Sequence, residues 1–190
     1  MLPIKELDCA SLKRQEFEEE VVAHKQPVVL RELVGNWPLV KQAQEGIHNT
    51  VNYLARMDSN HPCYTVVAPP SAMGRLFYAN DLSGPNFQQV NAALTPTLQQ
   101  LLTLDESTAP HAVSVQAAVI KDCLPSFSQS HTLDLLEQNV EPTLWVSNQS
   151  RVAAHFDLND NIACVAAGRR RFTLFPPDQV SNLYVGPNLN

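Results

Sequence analysis

From residue 111 to residue 175 the chain reads as a succession of extended segments with little helical periodicity, and no other feature constrains its fold as strongly. Residues 111–120 and 142–147 are strand candidates, and residues 152–158 and 161–175 supply three more. Within the last stretch Ala166-Ala167-Gly168-Arg169 is a tight turn, with glycine supplying a backbone conformation that other residues resist. Pro176-Pro177 ends the final strand, and Asp178 caps a short helical turn toward Tyr184.

The preceding part has a different rhythm. A helix is predicted over residues 11–24, capped by Asp8 or Ser11, with Leu12, Phe17, Val21 and Val22 near helical spacing. Gln26-Pro27 ends it, because a residue before proline avoids the helical region. Val28-Val29-Leu30 is a short β-branched strand, and Asn36-Trp37-Pro38 leads into a second helix. A third helical stretch covers residues 48–57. Strands follow over 63–67 and 75–78, then a polar loop, then a helix over 95–104 with a stripe of Leu98, Leu101 and Leu102. Helices followed by strands give an α+β fold with a β-barrel as the expected core.

The 190 residues suffice for one domain with a substantial core, and no repeat, low-complexity stretch or linker divides them. A hydrophobic fraction of 44% and a charged fraction of 17% belong to a globular chain. The net charge of −6, with no basic cluster except Arg169-Arg170-Arg171, excludes a duplex-DNA footprint but leaves a single-stranded or structured RNA partner open. No signal peptide is visible at the start, and no apolar run reaches the roughly 18 to 20 residues that span a bilayer, so no membrane role is expected. Cys9, Cys63, Cys123 and Cys164 fit no CxxC spacing. Reduced, buried thiols in a cytoplasmic protein are the expectation, with a structural zinc site as the remote alternative.

His155 and Asp157 stand two apart on a predicted strand, so their side chains leave one face. An imidazole and a carboxylate so placed are two-thirds of the 2-His-1-carboxylate triad of non-haem iron enzymes. A bare His-x-Asp also occurs on polar surface strands. A hairpin centred on Ala167-Gly168 pairs Val165 with Arg170, Ala163 with Phe172 and Asn161 with Leu174. That register puts Arg170 on an apolar face, where a cation is costly without an anion, and a dicarboxylate would satisfy it. The alternative turns Arg170 outward; strand alternation opposes this for Arg169, Arg170 and Arg171 together.

The run from His155 to Pro177 resembles the core of the JmjC-related cupin-like family, which includes bacterial cupin-like proteins and the asparaginyl hydroxylase of hypoxia-inducible factor. The family pattern of His-aromatic-Asp, an Asn, a Gly, a basic residue and Phe-Pro-Pro is met by His155, Phe156, Asp157, Asn161, Gly168, Arg170 and Phe175-Pro176-Pro177. Pro27 to Val34 with Asn36-Trp37-Pro38 is similar to the family's N-terminal segment, and Phe77-Tyr78, Asp81 and Asn86-Phe87 match more weakly.

The resemblance implies a double-stranded β-helix (a cupin or jelly-roll barrel) with N-terminal helices. It would form one domain over 1–190, helix-rich to about 110 with the barrel core after it. It also implies Fe(II) on His155 and Asp157, 2-oxoglutarate on Arg170 where many members use lysine, and Asn161 beside the co-substrate. Val152 stands where the hydroxylase has a threonine, and its co-substrate tyrosine falls near Ser114 or Val115; these departures leave a different co-substrate open. The six histidines are His24, His48, His61, His111, His131 and His155, so none follows Asp157 to be the third ligand. The metal site is therefore expected to be incomplete, in a truncated barrel or, as the alternative, a natural short form.

Trp145 is expected in the core or on the wall of a substrate pocket, and His111 and His131 as hydrogen-bonded structural residues. Asp157 and Asp160 could be paired acid and base, but no nucleophile accompanies them. The function implied is an Fe(II)- and 2-oxoglutarate-dependent hydroxylase of unknown prime substrate, whether protein, RNA or small molecule, and compatible with a homodimer. A non-catalytic cupin that binds a small molecule or a protein is the alternative.

Overall fold

A computed structural model describes residues 4–9, 12–105, 107–137 and 139–183; Ser11, Tyr184 and residues 185–190, which carry some of the expectations above, lie outside them. Strand β1 (Lys5–Asp8) pairs in parallel with β2 (Val28–Arg31). Between them α1 (Arg14–Phe17) continues in a wider π register over Glu18–Val22, closed by a bond from the Ala23 N–H to the Glu18 carbonyl. Phe17 is its buried residue. Pro38 opens α2 (Pro38–Glu45), where a missing N–H costs nothing. Gly46, at φ 138°, breaks the helix before α3 (Ile47–Ala55) begins.

The centre of the molecule is a four-stranded antiparallel sheet. Its strands are β3 (Pro62–Ala68), β5 (Gln88–Ala93), β6 (Ala112–Val119) and β7 (Thr143–Ser147), in the order β5-β3-β6-β7. Thr65 opposite Val115 and Val67 opposite Val113 fix the β3–β6 register. Side chains alternate across it. On one face Cys63, Val115 and Ala118 meet Leu54 of α3 and Leu94 and Leu98 of α4 (Leu94–Asp105), forming the main core. Leu94 and Leu98 are fully buried. Each contributes about 1.5–3 kcal/mol by leaving water. On the other face Val66, Ala68 and Ala112 meet Leu76 and Phe87 in a smaller cluster. The strand β6 carries a bulge between Val115 and Ala118, where Ala117 takes φ 48°, and then runs into α5 (Ile120–Cys123).

Asp58, just past α3, caps α4 from a distance: its carboxylate accepts the Thr95 N–H at 2.9 Å and the Thr95 hydroxyl at 2.6 Å. A second pairing joins β4 (Arg75–Leu76) in parallel to β8 (Arg151–Val152).

The fold is β-rich with helices and an antiparallel sheet, and no closed barrel forms among the described residues. No helix of the described residues is long and apolar enough to cross a membrane. Two strands escaped the sequence reading. β1 and β5 are mostly exposed and polar, so they carry too few core residues to produce an alternating signal. The strand expected over 75–78 pairs only at Arg75–Leu76, with Tyr78 bridging to Pro85 beyond it.

The larger difference lies after β8. The strands expected over 152–158 and 161–175 shrink to Arg151–Val152, and no ladder joins the two sides of the turn at Gly168. Gly168 does adopt the positive φ, 73°, that the turn requires. Extended, β-branched sequence is not sufficient for a strand. The ladder needs a partner within hydrogen-bond reach, and residues 153–176 have none among the described residues.

Candidate metal centre

The segment carrying the candidate ligands is aimed by the turn between β7 and β8. Asn148 ties that turn to the start of β6: its side-chain oxygen accepts the Val113 N–H at 3.0 Å, and its amide donates to the His111 carbonyl at 2.8 Å. Gly74 lets the turn pass over β4. A Cβ there would stand 2.7 Å from the Gln149 carbonyl oxygen, and its φ of 76° suits glycine. The Gly74 carbonyl then accepts the Arg151 N–H at 2.8 Å, which starts the β4–β8 pairing.

Three residues beyond the end of β8, His155 folds back on its own backbone. Its Nδ1 lies 2.8 Å from the Ala153 carbonyl, which can only accept, so Nδ1 donates to it. The ring's Nε2 stands 3.6 Å from Oδ1 of Asp157. The other carboxylate oxygen, Oδ2, accepts the Asn161 amide at 3.1 Å. Asn161 and Asp157 are thus hydrogen-bonded to each other, and His155 stands beside them with an imidazole nitrogen next to a carboxylate oxygen. Locking Nδ1–H onto a carbonyl is how proteins orient a histidine ligand. The side chains of His155 and Asp157 are 58% and 60% exposed, so the pair stands on an open surface.

Arg170 is brought to a different neighbour. Its guanidinium carbon lies 5.9 Å from the Trp145 ring centre and 5.7 Å from that of Phe172, a cation held between two aromatic faces. Trp145 is 42% exposed, and its indole N–H reaches the Thr143 hydroxyl at 3.3 Å. Arg170 and Trp145 therefore share a patch. The apolar face on which Arg170 was expected is uncovered. Ala163, Val165, Phe172 and Leu174 are all exposed, while Ile162, Cys164 and Ala166 are the half-buried set, with Ala166 against the main core. The expected alternation is present over residues 161–166, where it is the intervening set that the fold half-buries, whereas residues 167–175 are exposed throughout.

Val152 is exposed, and Ser114 is buried in β6. Of the other histidines, His131 is buried and hydrogen-bonded at both nitrogens, as expected of a structural residue. No group of three His, Cys, Asp or Glu side chains able to hold a metal ion occurs among the described residues. Cavities of about 150 Å³ beside Cys63 and Cys123, and of about 370 Å³ beside Phe87 and His111, include none of His155, Asp157 and Arg170. The donor chemistry of His155 and Asp157 fits Fe(II) as two ligands of three.

The sequence reading missed Asn148, Gly74 and the Ala153 carbonyl, all of which position His155. Asn148 and Gly74 are turn-type residues beside strands, the usual signal of such a role, but their partners lie 35 and more residues away in sequence.

Residues 14–190 match the cupin-like domain family. The match spans the helices, the sheet and the His155-to-Pro177 run together, and the chain belongs to the JmjC-related cupin-like family.

Proposed function

We propose that this domain belongs to an Fe(II)- and 2-oxoglutarate-dependent oxygenase, a hydroxylase built on a double-stranded β-helix and working in the cytoplasm. The observation that carries the proposal is the His155–Asp157–Asn161 grouping, with Nε2 of His155 beside a carboxylate that Asn161 holds in place. His155 and Asp157 would hold the metal. Arg170, at the Trp145–Phe172 patch, would take a carboxylate of the co-substrate, as a guanidinium does bidentately. Bound Fe(II) and 2-oxoglutarate supply oxidative decarboxylation coupled to insertion of oxygen into a C–H bond. The polypeptide's part is to fix the two donors, orient the dicarboxylate and present Trp145 to the prime substrate.

Titration of the chain with Fe(II) under anaerobic conditions, followed by thermal unfolding, tests the metal assignment. Binding should raise the unfolding temperature, and His155→Ala or Asp157→Ala should each weaken metal affinity by at least about tenfold. Arg170→Ala should leave metal affinity intact and abolish the added stabilisation by 2-oxoglutarate. A chain whose unfolding temperature ignores both ligands would refute the reading.

A second reading is a non-catalytic cupin that binds a small molecule or protein. Its support is that only two donors converge among the described residues. Conversion of 2-oxoglutarate to succinate separates the two: the oxygenase consumes it with Fe(II) and oxygen, and the binding domain does not.

A further inference from the structure

His131 sits where three elements meet. It is 6% exposed, stacked on Phe127 with ring centres 3.8 Å apart at 10°, and met edge-on by Trp37 at 5.4 Å and Tyr53 of α3 at 5.9 Å. Its Nδ1 lies 2.8 Å from the Phe127 carbonyl, which can only accept, so the proton is on Nδ1. Nε2 accordingly accepts the Leu39 N–H at 3.2 Å. Leu39 is in the first turn of α2, one of the backbone donors that a helix cannot satisfy internally, and Trp37 before it offers no side-chain cap. His131 supplies that cap from 92 residues away. Beside it the Trp37 indole donates to the Thr132 carbonyl at 3.0 Å. Residues 131 and 132 thus clasp the Trp37-Pro38 start of α2 from both sides, and the Trp37-Pro38 motif acquires a physical role.

A second proton on His131 would go to Nε2 and set an N–H against the Leu39 N–H. Two donors would then face each other, and a charge would sit among three aromatic rings. We propose that His131 is a pH-sensitive latch, which as the neutral Nδ1–H tautomer fastens the loop between α5 and β7 to the start of α2 and releases it on protonation.

The surroundings favour the neutral form. Burial holds its pKa below the ordinary histidine range, partly offset by the Phe127 carbonyl on Nδ1. The titratable and charged side chains of the elements around it are Lys41 and Glu45 on α2, His48 and Tyr53 on α3 with Arg56 at its end, Lys121, Asp122 and Cys123 on α5, and Asp134, Glu137 and Glu141 along the loop. Arg56 lies over the Tyr53 ring, Lys121 pairs with Glu141, and Glu137 pairs with Arg14, so these charges are directed elsewhere. With the folded pKa below the unfolded one, the stabilisation is complete above the ordinary histidine pKa. It is lost as pH falls from there through the depressed value.

Nitrogen-15 NMR of the imidazole together with amide hydrogen exchange at Leu39 tests the latch. The ring should show Nδ1–H with bare Nε2 at neutral pH. The Leu39 protection factor, corrected for intrinsic exchange, should fall on acidification below the ordinary histidine range by up to about tenfold per pH unit, the limit for one proton. Val115 in the central sheet should keep its protection over the same range. His131→Gln, which retains an acceptor and a donor but cannot titrate, should show a flat Leu39 profile. An Nε2–H tautomer in the wild-type ring would overturn the proposal whether or not the variant folds. So would equal losses at Leu39 and Val115, an unchanged Leu39 protection while His131 titrates, or an unaltered pH profile in the variant.

Discussion

Gly74 and Asn148 never touch a ligand atom, yet the direction of His155 depends on both. Gly74→Ala would place a methyl 2.7 Å from the Gln149 carbonyl at a φ of 76°, so the turn must shift. The cost should be about 1–3 kcal/mol, the range for a residue held in a left-handed conformation. It is measurable as a lower urea midpoint with an unchanged slope. Asn148→Ala removes one acceptor and one donor from the backbone around β6 and should cost a similar amount, about 1–3 kcal/mol. Asn148→Asp keeps the acceptor facing Val113 but sets a carboxylate oxygen against the His111 carbonyl, so it should be no more stable than Asn148→Ala. If either alanine variant unfolds at the wild-type midpoint, the turn is not held as described. At this scale the sequence displayed His155, Asp157 and Asn161 openly, because their spacing is local. It hid Asn148 and Gly74, because their partners are distant in the chain.

Among the elements, α4 shows how local and distant causes combine. Its stripe of Leu98, Leu101 and Leu102 was legible from helical spacing, and all three lie against the main core. Its start was only half legible. Thr95-Pro96 marks the first turn, but the cap is Asp58, 37 residues earlier. Asp58→Ala should lose about 1 kcal/mol, and Asp58→Asn, which keeps an acceptor, should lose less. The order of the two denaturation midpoints checks this. Leu98→Ala, at a fully buried site, should cost about 2–5 kcal/mol, several times more than the cap. A smaller loss than that of Asp58→Ala would contradict the assignment of the core. The strands divide in the same way. β3, β6 and β7 were legible because they carry apolar residues into a core, β6 on both faces, whereas β1 and β5 bury too little to leave a pattern.

For the molecule as a whole, the thiols report on the main core. Burial pushes the Cys63 thiol up, and burial with the neighbouring Cys63 carries Cys123 up to about 12. Since the thiolate is the reactive form, alkylation of both at pH 8 should await unfolding of the core and follow its rate. Mass mapping after brief labelling checks this, and prompt modification of Cys63 or Cys123 in the native state would show that the core opens locally. The amino-acid sequence alone placed α3 and α4 closely and offered His155, Asp157 and Asn161 as candidate site residues. Each of these rests on contacts a few residues apart. Tertiary structure decided the rest: that residues 153–176 join no ladder, that Val165 and Phe172 lie uncovered while Cys164 and Ala166 turn inward, and that Arg170 rests on Trp145. Backbone preference makes a segment extended, but a strand needs a neighbour to share its hydrogen bonds, and an apolar face is buried only where another layer covers it.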